Sequence, residues 1–119
     1  MDMEIGKQDV NITETNGKLM VPSVMVAEHF KKRHDNIIRT IKSLEIPQDF
    51  RLLNFEESSY INEQNKTQPA MNMTRDGFVL LVMGFTGKRA MEWKLKYIEA
   101  FNAMERAQKD KLYLKAALQ

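Results

Sequence analysis

Two hairpins and four helices are predicted from the pattern of apolar and polar residues along the chain. At the start, residues 9–22 favour a β-hairpin, because Asn16-Gly17 is a preferred two-residue type I′ turn. This turn would pair Ile12 with Val21 and Glu14 with Leu19. The domain is therefore expected to open with two antiparallel strands.

A first short helix is predicted over residues 24–33. Ser23 follows Pro22 and is a suitable N-cap. Val26 and Phe30 lie four residues apart and would share the inner face. The helix should break just before a second one begins.

The second helix is predicted over residues 36–44, with Asp35 as its cap. Its apolar stripe comprises Ile37, Ile41 and Leu44, with Ile38 at the edge. The opposite face carries residue types that contact bases and phosphates, namely Asn36, Arg39, Thr40 and Ser43. Two neighbouring helices of this kind suggest a helix-turn-helix.

Pro47 should end this helical region. The apolar residues that follow are expected to lead the chain back across the core: Phe50, Leu52, Leu53 and Phe55. Residues 58–62 and 70–73 then favour two strands joined by a polar tip over residues 63–68. A hairpin after two helices has the outline of a wing.

The last part of the chain predicts two more helices. Thr74 would cap a short helix over residues 75–84 that is apolar enough to be buried, and Gly84 would stop it. Thr86 would cap a long helix from residue 87 toward the C-terminus. Its core-facing residues are expected to be Ala90, Trp93, Tyr97, Ile98, Phe101 and Met104.

The composition is that of one globular α+β domain in an ordinary aqueous environment. The 119 residues are 43% hydrophobic and 29% charged, with no stretch resembling a secretion signal or membrane span. Cysteine is absent, and His29 and His34 lie five apart, which is not the spacing of a helical metal site. We therefore expect a cytoplasmic protein without a metal, a cofactor or a membrane partner.

No catalytic motif is present in the sequence. The segment 84–88, GFTGK, has two residues between its glycines where a phosphate-binding loop needs four, and Arg89 follows its lysine. The adjacent Glu56 and Glu57 would point to opposite faces of a strand and could not converge on one ligand. The sequence therefore predicts a protein without catalytic residues rather than an enzyme such as a basic nuclease.

Charge is segregated along the chain although the net charge is only +2. Residues 24–44 hold five basic and two acidic residues, residues 45–63 one and five, and residues 64–90 four and one. Such basic blocks suit a polyanionic partner, double-stranded DNA above all. The ordinary alternative is a solvated surface with cations near helix ends.

The candidate DNA contacts fall into three groups. Arg39 is expected to read guanine and Asn36 adenine, with Thr40 and Ser43 on the same face. Phosphate contacts are expected from the cluster Lys31, Lys32, Arg33 and His34, and from Lys42 and Lys66. Arg75, Lys88 and Arg89, at the starts of the last helices, complete the set but also suit a plain surface role.

Several long segments resemble the Rha family of phage regulatory proteins. They are residues 34–41 (HDNIIRTI), 73–90 (MTRDGFVLLVMGFTGKRA) and 96–105 (KYIEAFNAME), with Ser23, Val26, Ala27 and the stretch 54–60. Together they cover about residues 18–106. The resemblance implies a phage or prophage protein in a bacterial host, a regulator of phage development thought to bind DNA.

These observations predict a Rha-type DNA-binding domain over residues 1–106 and a helical tail over residues 107–119. The fold expected is a helix-turn-helix or winged-helix-like domain with β-hairpins and a long C-terminal helix. The alternative function is an antirepressor-like module that binds a host or phage regulator. The operator and the sign of regulation stay open.

The long C-terminal helix also raises the question of assembly. Its apolar pattern thins after Glu105 and resumes at Leu112, Leu114 and Leu118. A helix leaving the domain would expose this short seam, which predicts a homodimer through residues 101–118. A frayed tail without a partner is the alternative.

Overall fold

A computed structural model describes residues 10–118, so the start of the predicted first hairpin, residue 9, lies outside the described range. The described residues form five helices and a four-stranded antiparallel sheet, which confirms the α+β class. In chain order the elements are β1 (Thr13–Thr15), β2 (Lys18–Pro22), α1 (Ser23–His29), α2 (His34–Ser43), α3 (Gln48–Asn54), β3 (Phe55–Ile61), β4 (Thr67–Met73), α4 (Arg75–Val82) and α5 (Lys88–Ala117). The strands lie side by side in the order β1-β2-β4-β3.

The hairpin formed by β1 and β2 turns at Asn16-Gly17, as predicted. These two residues have φ angles of 53° and 81°, the positive values that a type I′ turn requires. The predicted pairing of Glu14 with Leu19 is confirmed. The ladder ends at the pair of Thr13 with Met20, however, so the predicted pair of Ile12 with Val21 does not form. Val21 instead pairs with Met73 of β4 along the other edge of β2.

The first turns of α1 and α2 are not capped by the side chains predicted from the sequence. Ser23 is the first residue of α1, and its buried hydroxyl bonds to groups elsewhere in the fold. Asp35 lies inside the first turn of α2 and pairs with Arg33 at 2.9 Å. A carboxylate at this place still stabilises the helix by a favourable interaction with its dipole. The first helix also ends at His29, earlier than the predicted residue 33.

The apolar stripes predicted for α1 and α2 are confirmed. Their buried members are Val26, Phe30, Ile37 and Ile41, and their half-buried members are Ile38 and Leu44. Helix α1 packs against β2, β4 and α2, and α2 also contacts α4. Both helices therefore cover the core while the polar side of α2 stays outside.

A surface helix, α3, occupies the stretch that was predicted to lead the chain back across the core. That prediction is wrong, since Leu52 and Leu53 are 68% and 61% exposed on the surface of this helix. Pro47 takes the N-cap position, and Asp49 lies in the first turn, where it stabilises the helix dipole. The chain returns to the core at Asn54, the last residue of α3, and Phe55, the first residue of β3.

The second predicted hairpin forms, but its strands are longer than predicted. They cover Phe55–Ile61 and Thr67–Met73 in a continuous antiparallel register. The tip shrinks to residues 62–66, where the carboxamide of Asn62 accepts two backbone N–H groups, including that of Lys66 at 2.9 Å. This bonding gives the exposed tip a defined shape.

Helix α4 begins as predicted and is less buried than predicted. The hydroxyl of Thr74 caps it by accepting the N–H of Gly77 at 3.2 Å. The helix packs so closely that a Cβ on Gly77 would lie 2.8 Å from the carbonyl oxygen of Asn54. The predicted burial holds for Gly77, Phe78, Leu81 and Val82, whereas Val79 is 36% exposed and Met83, at the C-cap, is 67% exposed.

Helix α5 runs unbroken for 30 residues. Thr86 does not cap it; the N-cap is Gly87, whose φ of 100° favours glycine. Its buried residues are Ala90, Trp93, Tyr97 and Phe101, with Met104 half-buried. Ile98, predicted with them, is 38% exposed because it lies about 100° around the helix from its buried neighbour.

An aromatic cluster joins α1, α4 and α5 in the core. The rings of Phe78 and Tyr97 stack with centroids 4.3 Å apart, and His29 stacks on Trp93 at 3.8 Å. The Tyr97 hydroxyl lies 2.7 Å from Nδ1 of His29. Burial, and then the charge of Glu28, raise the pKa of Tyr97 far above its ordinary value, so the phenol stays protonated.

Two negative findings apply to residues 10–118. None of the helices there combines the length and the apolar character needed to cross a membrane. The same residues bring together no group of three or more histidine or acidic side chains that could hold a metal ion.

Candidate nucleic-acid interface

The predicted polar face of α2 is accessible. Asn36, Arg39 and Ser43 are exposed, and Thr40 is half-buried. The two hydroxyls bond back to the helix, since Thr40 donates to the carbonyl oxygen of Asn36 and Ser43 to that of Arg39, both at 2.8 Å. Asn36 and Arg39 are therefore the side chains of this face that are left to reach outward.

Arg39 and Asn36 form a pair. The guanidinium of Arg39 donates a hydrogen bond to the carboxamide oxygen of Asn36. A guanidinium has five N–H donors, so one such bond leaves the others for a two-pronged contact. The bond also engages the oxygen of Asn36 and leaves its NH₂ group as a donor. This face can thus offer several directed donors to a ligand with acceptor groups.

Four residues, 30–33, connect α1 to α2, which is the length of a helix-turn-helix connection. Lys31 adopts the left-handed conformation, with φ of 57°. Its N–H donates to the carbonyl of Glu28 at 3.3 Å, and the N–H of Lys32 donates to that of Ala27 at 2.9 Å. This is the Schellman motif, in which glycine is usual, and another residue there costs roughly 1–2 kcal/mol. The turn thus carries a lysine where glycine would be more stable.

The neighbouring cations make only weak contacts of their own. The Lys32 ammonium lies 4.9 Å from the ring centre of Phe85. Arg33 pairs with Asp35 on the surface. An exposed ion pair contributes at most about 1 kcal/mol, so a phosphate can replace the carboxylate at little cost.

His34 lies where four elements meet. Its Nε2 is 2.8 Å from Oγ of Ser23 in α1, and that oxygen also accepts the N–H of Met71 in β4 at 2.9 Å. Its ring meets Tyr60 of β3 edge-on, with centroids 5.1 Å apart. We call these four residues the His34 joint. Their contacts connect α2 to the hairpin whose tip carries the exposed Lys66.

The charge state of His34 fits this internal position. Partial burial lowers its pKa below the ordinary 6.5, and the nearby Asp35 opposes this shift only in part. The ring is therefore neutral at pH 7. A neutral ring can exchange a hydrogen bond with Ser23 in either direction, depending on its tautomer. His34 thus positions α2 rather than supplying a positive charge.

Arg75, another predicted contact, is engaged within the fold. Its guanidinium donates to the two carboxylate oxygens of Glu105 at 2.8 and 3.0 Å and to the side-chain oxygen of Asn102 at 2.6 Å. It also lies over the ring of Phe101. These bonds join the start of α4 to α5.

The remaining predicted cations are exposed but lie in different places. Arg89 and Lys31 line the same cleft, of about 460 Å³, between α5 and the end of α1. Lys42 projects from α2 next to a second cleft, on the side of α3 and β3. Lys88 lies about 100° around α5 from Arg89 and so belongs to another side of that helix. Arg89, but not Lys88, thus lies near the turn of residues 30–33.

One residue that supports α2, Arg51 of α3, was not predicted from the sequence. Its guanidinium donates to the carbonyl oxygen of Ile41 at 2.7 Å and to that of Leu44, at the end of α2. Carbonyls at a helix end lack partners within the helix, so this clamp satisfies them. The sequence signal for α3 was Pro47 at a helix start. The apolar residues after it were instead interpreted as a segment that crosses the core.

Residues 21–106 match the model of a family described as phage regulatory protein Rha, which confirms the resemblance inferred from the sequence. A protein of Haemophilus influenzae is 50% identical over 90 residues, covering 73% of this chain and 52% of the relative. A 22.8 kDa protein from the gp15-gp3 intergenic region of Salmonella phage P22 is 38% identical over 96 residues, 78% of this chain and 48% of the relative. A Bacillus subtilis protein, derived from the SPbeta prophage and named for an inferred antirepressor role, is 30% identical over 104 residues, 84% of this chain and 41% of the relative.

The chain spans about half the length of these curated relatives. The family match runs from β2 into α5 and contains every predicted DNA contact. No solved structure shows a significant match to the chain.

Proposed function

Because the chain belongs to the phage regulatory protein Rha family, we propose that it binds double-stranded DNA, with α2 in the major groove and the tip of the second hairpin on the adjacent backbone. The helices α1 and α2 act as a helix-turn-helix, and the hairpin of β3 and β4 acts as a wing. Through this contact the protein controls phage gene expression or development.

The observation that carries the proposal is the His34 joint. A protein that reads a duplex must hold its recognition helix and its backbone contacts at a fixed spacing. The joint connects the first residue of α2 to both strands of the hairpin. In addition, β4 pairs with β2, the strand that leads directly into α1. The proposed wing and the proposed helix pair are thus connected by direct contacts.

The surface of α2 supports the assignment of base contacts. The major groove is about 12 Å wide and admits a helix. Arg39 donates two N–H groups to guanine, and the NH₂ group of Asn36 contacts adenine at N7. Arg39 can keep its bond to Asn36 while it contacts guanine, because the guanidinium has further N–H donors. Thr40 and Ser43 lie beside them, and their hydroxyl oxygens accept hydrogen bonds from base amino groups, since the hydroxyl protons are donated to the helix backbone.

The proposed phosphate contacts surround this face. They are Lys31, Lys32, Arg33, Lys42 and Lys66, with Arg89 on the rim of the Lys31 cleft. Arg75 is left out because Glu105 and Asn102 occupy it, and His34 because it is neutral and internal. The left-handed Lys31 supports the proposal, since backbone strain is commonly retained where function uses the side chain.

Binding of the full chain to a random duplex at several salt concentrations tests the proposal. Each phosphate contact adds about 0.9 to the slope of log affinity against log salt, so the six contacts named predict a slope near 5. A variant with Arg33 and Lys66 both changed to alanine should lose about 2 of that slope. If the wild-type chain fails to bind at low salt, the DNA proposal is wrong.

A second candidate function is favoured by one relative. The Bacillus subtilis protein is named for an antirepressor role, which would make this chain a module that binds a host or phage regulator. The same assay separates the two functions, because an antirepressor module would not show a steep loss of affinity for DNA as salt is raised.

A further inference from the structure

Five large apolar side chains lie exposed on α4 and α5, each with more than a third of its surface accessible. They are Val79 and Met83 of the α4 segment and Met91, Leu95 and Ile98 of α5. We call this set the α4–α5 apolar face. Single exposed apolar residues are common, but a contiguous set on rigid helices usually marks an interaction surface.

Contacts between the two helices make this face contiguous. Arg75 binds Asn102, and Phe78 stacks on Tyr97, so α4 and α5 run antiparallel and side by side. The α4 members of the face follow Arg75 at intervals of four residues, on the same side of that helix. The α5 members precede Asn102 at spacings of three and four residues, again on one side. The contact between Arg75 and Asn102 therefore aligns the two apolar stripes.

The face continues into a neighbouring cleft of about 440 Å³ between α3 and α4. Its apolar lining comprises Ile46, Pro47, Phe50, Val79 and Leu80. The exposed surface thus extends from α5 over α4 to α3.

We propose that the α4–α5 apolar face binds the same face of a second copy of this chain, giving a dimer with four helices at its centre. Two helices that pack side by side with an apolar outer face form half of a four-helix bundle. A second copy supplies the other half with a surface of the same shape. A two-fold axis makes the contact self-complementary, as an isologous interface requires.

The charges beside the stripe of α5 favour this occupant. Lys88 lies three residues before Met91, and Glu99 lies four residues after Leu95, so opposite charges flank the two ends of the stripe. When two copies of α5 pair antiparallel, Lys88 approaches the partner's Glu99, and the reverse contact repeats across the axis. Parallel pairing would instead place like charges together. The face is therefore complementary in charge to itself.

The end of α5, where the sequence predicted a dimer through residues 101–118, presents its exposed apolar residues on different sides of the helix. Phe101 is buried in its own domain, and the side chain of Gln108 donates to the carbonyl oxygen of Gly17 at 2.9 Å. Leu112 and Leu114 are exposed, but they are two residues apart and so point about 200° from each other. They do not form one stripe.

The oligomeric state of the full chain tests the proposal without reference to DNA binding. We expect sedimentation velocity to show a dimer at tens of micromolar. Leu95→Glu places a charge at the centre of the face and should weaken dimerisation at least about tenfold. Leu112→Glu is the matched control, an exposed leucine of the same helix, and should leave the dimer unchanged. Both variants should keep the wild-type circular dichroism spectrum, because neither side chain is in the core.

Three outcomes would overturn the proposal. One is a monomeric wild-type chain, which would leave the face to a different protein. Another is loss of the dimer in Leu112→Glu with Leu95→Glu unaffected, which would move the interface to the end of α5. The third concerns charge. Lys88→Glu should weaken the dimer, and adding Glu99→Lys should restore its affinity.

A double variant whose dimer affinity is no higher than that of Lys88→Glu alone excludes the antiparallel contact.

Discussion

Nε2 of His34 lies 2.8 Å from Oγ of Ser23, which joins the first residue of α2 to the first residue of α1. The same hydroxyl accepts a backbone N–H from β4, and the imidazole ring contacts Tyr60 of β3. One neutral histidine thus fixes the relative positions of the helix pair and the second hairpin. Partial burial disfavours the charged form of this ring, so protonation works against the arrangement that positions α2.

Stability should therefore fall in mild acid. The pKa of His34 is lowered in the folded protein, so the unfolded chain binds more protons once the pH drops below about 6.5. The contribution of the neutral ring is complete above that pH and is lost as the pH falls through the folded-state pKa. Urea unfolding of the wild type and of His34→Gln, measured from pH 8 to pH 5, checks this. The variant should show a smaller loss over this range; equal losses would mean that other groups cause the acid sensitivity.

Lys31→Gly should make the protein more stable and worse at binding DNA. Glycine relieves the left-handed backbone strain but gains freedom in the unfolded chain, for a net gain of about 0.5–1 kcal/mol. Loss of the ammonium should lower the salt slope of DNA binding by about 0.9. Lys32→Gly is the control, since its backbone is not left-handed and it should gain no stability. A similar change in unfolding free energy for both variants would contradict the strain argument.

Arg39→Ala should distinguish reading of a base from contact with a phosphate. If Arg39 binds guanine, affinity for a selected specific site should fall by about 1–3 kcal/mol, with much less effect on random duplex. Fluorescence anisotropy with both duplexes gives the comparison. Arg106→Ala, at an exposed arginine far along α5, controls for the loss of one positive charge. Equal losses on the two duplexes would assign Arg39 to the backbone instead.

Arg51→Met should destabilise the C-terminal turn of α2. The substitution keeps most of the aliphatic stem but removes the hydrogen bonds to the carbonyls of Ile41 and Leu44, at a cost of roughly 1.5–3 kcal/mol. Amide hydrogen exchange should accelerate in the last turn of α2 before it does in β3 or β4. Uniform acceleration across the domain, or none, would show that Arg51 does not act as a local clamp.

Features that depend on a few neighbouring residues could be predicted from the sequence. Asn16-Gly17 formed its turn and Thr74 its cap, because turn and cap chemistry acts over two to four residues. Periodicity identified the buried Ile37 and Ile41 and the opposite polar face of α2. The family followed from long segments of residues in order.

Features set by packing between distant segments could not be predicted. Ser23 and Met71, 48 residues apart, share a hydrogen bond, and Arg75 finds its carboxylate 30 residues away on α5. Serine is a common helix cap, yet the hydroxyl of Ser23 bonds to Met71 of β4 and His34 of α2 instead. The buried N–H of Met71 needs a hydrogen-bond partner, and this hydroxyl supplies it. In the same way, only the packing of α4 beside α5 decided that an apolar face remains on the outside of the two helices. The local sequence determined most of the helices and strands and which side of each is apolar. The tertiary structure decided which polar groups bond to each other, because an unpaired donor or acceptor costs free energy only once packing has buried it.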